Sequence, residues 1–85
     1  MSKTKIAVLF DPYLDTLGGG ERYTLSLAQA LSEAGWRVEL AWQDPDILEK
    51  AHHMFDLNLS KVKVSSEYYD LFTKKINLLN KKQAL

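Results

Sequence analysis

The sequence predicts an α/β fold, a Rossmann-like β-α-β-α-β-α half-domain whose three parallel strands are flanked by helices. Three observations carry this. Short apolar or alternating runs stand at residues 6–10, 36–42 and 61–64. Longer segments after each run repeat apolar residues at helical spacing. Turn and cap residues sit at the junctions, and right-handed crossovers then make a parallel sheet the simplest topology.

Ile6-Ala7-Val8-Leu9-Phe10 is a continuous apolar pentapeptide, the pattern of a strand covered on both faces and usually central. Asp11 to Leu17 and the triplet Gly18-Gly19-Gly20 form the first loop, where glycine permits positive φ and close backbone approach. A helix is expected from Glu21, with Tyr23, Leu27, Ala30, Leu31 and Ala34 as its apolar stripe, Leu25 and Ala28 widening it, and Gly35 ending it. Trp36 to Trp42 alternates as a second strand, with Val38, Leu40 and Trp42 opposite the more polar Arg37 and Glu39.

Asp44-Pro45 reads as the cap and first residue of a short helix reaching about Phe55, with Asp46 and Glu49 placed for its dipole. Residues 61–64 are the third strand. Ser65 or Ser66 caps the last helix, along which Tyr68, Phe72, Ile76 and Leu79 recur, with Glu67 and Asp70 early and Lys81 and Lys82 late.

Eighty-five residues, 46% hydrophobic and 26% charged, suit one small domain or part of one and exclude a disordered or collagen-like chain. Eleven basic and eleven acidic side chains cancel, so no global field gathers nucleic acid, and none is expected as a partner. Without cysteine there is no disulfide or thiolate metal site, which suits a cytoplasmic location. No segment reaches the roughly 20 apolar residues of a membrane span, so membrane contact is at most peripheral. No cofactor or metal is implied.

Sheets of this kind bind ligands beyond the carboxyl ends of their strands, which puts the Asp11–Gly20 loop at the functional edge. Gly18, Gly19 and Gly20 can offer backbone N–H groups and a helix amino end to an anion, and Arg22 stands ready to offset the Glu21 carboxylate. The run Gly-Gly-Gly-Glu-Arg-Tyr is neither a dinucleotide fingerprint nor a P-loop. A plain tight turn capped by Glu21 is the competing reading. Asp11 and Asp15 read as turn formers, and Asp44 and Asp46 as capping residues. His52 and His53 point about 100° apart on a helix and do not form a zinc pair. Lys74, Lys75, Lys81 and Lys82 read as a solvated face, and Trp36, Trp42, Tyr68, Tyr69 and Phe72 as packing residues.

Lys5–Phe10, then Gly18–Arg22, then Leu27–Leu40 with its Leu-Ala-Gln-Ala-Leu helix ending in Gly35 together resemble the amino terminus of a family 4 glycosyltransferase of the two-Rossmann-domain (GT-B) class. The similarity is clear over residues 5–42 and weaker to about 82. It implies that residues 1–85 are a partial amino-terminal, acceptor-side domain of an enzyme moving sugar from a nucleotide-sugar donor to an acceptor. By the same resemblance, Gly18, Gly19 and Gly20 approach the donor diphosphate; no catalytic residue is assigned. The family's nucleotide-binding second domain has no counterpart here, so this segment is expected to be inactive alone, and its first strand to expose an apolar edge that invites self-association. A small Rossmann-like module for a phosphorylated ligand and an inactive structural truncation are the alternatives.

Overall fold

A computed structural model describes residues 4–83, with side chains described through residue 78. The expected placements of Leu79, Lys81 and Lys82 fall outside the described side chains. The chain runs β1 (Ile6–Phe10), a 3₁₀ turn (Leu14–Thr16), α1 (Gly19–Glu33), β2 (Arg37–Ala41), α2 (Asp46–Phe55), β3 (Val62–Ser65) and α3 (Ser66–Gln83). The three strands form one parallel sheet in the order β1-β2-β3. The expected α/β, Rossmann-like half-domain is therefore the fold observed.

Side-chain alternation sorts the two faces. Val38 and Leu40 of β2 share a buried cluster with Leu25 and Ala28 of α1, Ile47 and Ala51 of α2, and Val62 of β3. The two crossovers step in the same direction across the sheet, and the right-handed connection that parallel strands favour then puts both helices on one face. The opposite face carries Phe10, Arg37, Glu39 and Ser65, and there α3 packs. Phe10 meets Tyr69 and Phe72 at centroid distances of 6.3 and 5.3 Å, and Trp42 meets Tyr69 edge-on at 5.4 Å. These aromatics are packing residues, as expected, and offset or edge contacts suit their quadrupoles.

The apolar stripe of α1 differs from expectation. Its buried residues are Leu25, Ala28 and Ser32, whereas Tyr23 is 72% exposed and Leu27 39%. Small Ala28 and Ser32 let the helix approach the sheet closely, and the Ser32 hydroxyl is satisfied by donating to the Gln29 carbonyl at 2.8 Å. The pentapeptide reading also needs correction. β1 is covered on its faces by α1 and α3, yet it is an edge strand and not a central one. Face burial and edge pairing are independent, so an apolar run reports only the first. The expected exposed edge is present, and Ile6 is 53% exposed.

Helix ends follow local chemistry. Gly35, at φ 94°, is the left-handed residue closing α1. Asp44 Oδ1 accepts the Asp46 N–H at 3.0 Å, the capping role expected of Asp44, while α2 begins at Asp46 and not at Pro45. Ser65 Oγ accepts the Tyr68 N–H at 3.2 Å at the start of α3. Replacing Ser65 with alanine removes that acceptor, and a loss of about 0.5–2 kcal/mol of unfolding free energy is expected in urea titrations.

Candidate functional site

The loop between β1 and α1 leaves the sheet at its carboxyl edge and is pinned from below by Leu14, which is fully buried in the core cluster. Asp11 starts the turn by accepting the Tyr13 N–H on Oδ1 at 2.9 Å, the turn-forming role expected of it. Thr16 donates its hydroxyl to the Tyr13 carbonyl at 2.8 Å, and Leu17 follows at φ 49°, a left-handed conformation costly for a branched side chain. Leu17 is nevertheless held there by packing against the core.

The three glycines do not share one role. None has the positive φ that the sequence allows for, because α1 begins at Gly19 and not at Glu21. Gly18 precedes the helix, and its N–H donates to Glu21 Oε1 at 3.2 Å. A Cβ on Gly18 would stand 3.2 Å from that same oxygen, so glycine there makes room for the cap. Gly19 and Gly20 are different: both are exposed and helical, and a Cβ on either would meet nothing within 4 Å. The fold itself does not require glycine at these two positions. Their N–H groups belong to the unpaired donors at a helix start, since the first intrahelical bond is from the Arg22 N–H to the Gly18 carbonyl at 2.9 Å.

Two carboxyl groups border these amides. Glu21 accepts from Thr16 Oγ1 at 2.5 Å and from the Gly18 N–H. The Thr16 hydroxyl chiefly, then Asp11 and the Gly18 N–H, hold its pKa below the ordinary carboxylate value. Asp11 is pushed the other way, first by partial burial and then by its hydrogen bond to Glu21 and that group's charge. The two carboxyl groups are thus pushed apart: charge is favoured on Glu21 and disfavoured on Asp11. Thr16 carries no motif in the sequence. Its signal is only its position five residues before the capping glutamate.

The signs of these shifts make a test. Asp11 has a raised folded pKa, so its contribution is favourable below its unfolded pKa and is lost as pH rises through the folded value. Asp11→Asn keeps the Oδ1 acceptor and removes the charge. It is expected to unfold at higher urea than the parent at pH 7, with the difference vanishing near pH 3. Glu21 acts oppositely: its contribution is present above the unfolded pKa and lost as pH falls through the lowered folded one.

Arg22 does not lie against the glycines. Its guanidinium sits over the Phe55 ring of α2, 5.9 Å from the centroid. Of the four residues singled out for substrate binding, Gly18, Gly19 and Gly20 are contiguous and exposed, and Arg22 points to the neighbouring helix. The remaining polar candidates serve structure. His52 Nδ1 lies 2.7 Å from the Leu57 carbonyl, and His53 Nε2 lies 3.8 Å from Glu49. Asp15 is exposed in the 3₁₀ turn, and Lys74 and Lys75 are exposed on α3.

Among the described residues no group of three or more His, Cys, Asp or Glu side chains is arranged to hold a metal, and no helix is long and apolar enough to cross a membrane. The chain matches no protein-family model, no curated protein and no solved structure.

Proposed function

We propose that this chain is the acceptor-side part of a two-domain sugar transferase, with the Gly18–Gly20 loop facing the diphosphate of a nucleotide-sugar donor. The observation that carries the reading is the pair Gly19 and Gly20. Their φ angles are helical and the space around them is open, so the fold gains nothing from them, and glycine in a helix is unfavourable by about 0.5–1 kcal/mol against alanine. Side-chain bonds tilt toward a helix's amino end, so a methyl at either position would stand over the amides. Bare positions keep that approach clear.

Two further features support the reading. Amides at a helix start stabilise an anion, and they would stabilise the charge that develops on a departing diphosphate. Asp11 and Glu21 beside them disfavour a bare phosphate but suit a ligand whose anionic bridge is joined to a hydroxyl-bearing sugar. A chain without cysteine suits the cytoplasm, and one wall of a cleft is expected to bind donor without turning it over.

The test is titration of the ¹⁵N-labelled chain with UDP-glucose, inorganic pyrophosphate and glucose separately, followed by amide shifts. UDP-glucose is expected to move Gly18 to Glu21 more than pyrophosphate does, and glucose alone to leave them unmoved. No shift in this loop with any ligand contradicts the proposal, and equal responses to UDP-glucose and pyrophosphate favour a plain phosphate module.

A further inference from the structure

We infer that the open edge of β1 is a self-complementary interface, on which a second copy of this chain docks antiparallel across a two-fold axis at Val8. The phase of the strand gives the reason. The Arg37 N–H of β2 donates to the Lys5 carbonyl at 2.8 Å, so Lys5 turns its backbone polar groups toward β2. Backbone direction alternates along a strand, so Ala7 and Leu9 do the same, while Ile6, Val8 and Phe10 turn theirs to the open edge.

An antiparallel partner needs its hydrogen-bonded pairs at alternate residues. Centring the two-fold on Val8 pairs Val8 with its own copy and Ile6 with Phe10 of the second copy, which matches every outward-facing group to another. The same register sets Lys5 at one end of the strand opposite Asp11 of the second copy, a basic residue against an acidic one at both ends of the seam, where the partner's cation favours the ionised carboxylate that burial and Glu21 disfavour. Ile6, Val8 and Phe10 then meet their own kind on one face, and Ala7 and Leu9 on the other. No proline, and no charged residue within the strand, blocks the edge.

A two-fold axis perpendicular to the sheet also puts both α3 helices on the same side of the joined sheet. On that side Phe10 of each β1 already packs under Tyr69 and Phe72 of its own α3, so the two aromatic clusters come to flank the seam. The net charge of zero leaves no long-range repulsion between copies. This interface is independent of the sugar-donor reading and stands or falls separately from it.

Sedimentation of the whole chain tests the association, and single cysteines in this cysteine-free sequence test its register. The mass is expected to rise with concentration from 9.7 kDa toward twice that value. Under mild oxidation Val8→Cys is expected to form a covalent dimer, because hydrogen-bonded partners stand about 5.5 Å apart at Cα, inside disulfide range. Ile6→Cys, offset along the strand from its own copy, is expected to remain uncrosslinked. Val8→Pro removes an outward N–H that an edge strand does not use internally, and is expected to stay monomeric. Its circular dichroism separates that result from unfolding. A monomeric parent chain at all concentrations, or equal crosslinking at positions 6 and 8, overturns the inference.

Discussion

Leu40→Ala is expected to destabilise the chain by about 2–5 kcal/mol, the largest effect of any single substitution considered. Leu40 is fully buried on β2, which is paired on both sides, and it lies in the cluster that joins α1 and α2 to the sheet. Truncation leaves a cavity where three elements meet, and a small parallel sheet has little freedom to collapse into it. Domains of this size have total stabilities of about 5–15 kcal/mol. The expected drop in Tm is about 8–40 °C, at about 4–8 °C per kcal/mol. Thermal denaturation by circular dichroism reads it, and a shift of under about 2 °C would mean that β2 does not organise the core.

The second large effect separates stability from binding. Gly19→Ala with Gly20→Ala is expected to raise Tm, since each alanine lowers the entropy of the unfolded chain and fits its helical position without strain. A gain of about 0.4–1 kcal/mol per site is expected. Binding of UDP-glucose moves the opposite way. Each displaced N–H to phosphate bond is worth about 1.5–3 kcal/mol, roughly 10- to 100-fold in Kd. Gly18→Ala serves as the contrast, because its methyl presses on Glu21 Oε1 and is expected to lower stability by disturbing the cap. If the double variant is more stable and binds UDP-glucose as well as the parent does, the open glycines have no part in recognition.

The elements were legible in the sequence because their signals are local. Strand runs, the closing Gly35, the Asp44 and Ser65 caps and the packing role of Trp42, Tyr69 and Phe72 all follow from residue type and spacing. What was not legible depends on the partner surface. Leucines at 25, 27 and 31 with alanines at 28, 30 and 34 draw two overlapping arcs on α1, and only the sheet selects the arc through Leu25, Ala28 and Ser32. Leu14 is a single apolar residue in a polar loop, without a period to betray that it anchors the turn.

The loop shows the same division. Glycine's low helix propensity suggests a later start for α1, but Glu21 caps Gly18 and recruits Gly19 and Gly20 into the first turn. The coupling of Asp11 to Glu21 rests on the fold of the loop between β1 and α1, and no spacing rule encodes it.

The most direct measurement is a scalar coupling across the hydrogen bond, between ¹⁵N of Gly19 or Gly20 and ³¹P of bound UDP-glucose. A coupling from either glycine to a diphosphate phosphorus is the expected result, lost in the double alanine variant. Phosphorus resonances that respond to the protein while both glycine amides remain uncoupled and unshifted would contradict the account, because the ligand would then sit elsewhere on the sheet.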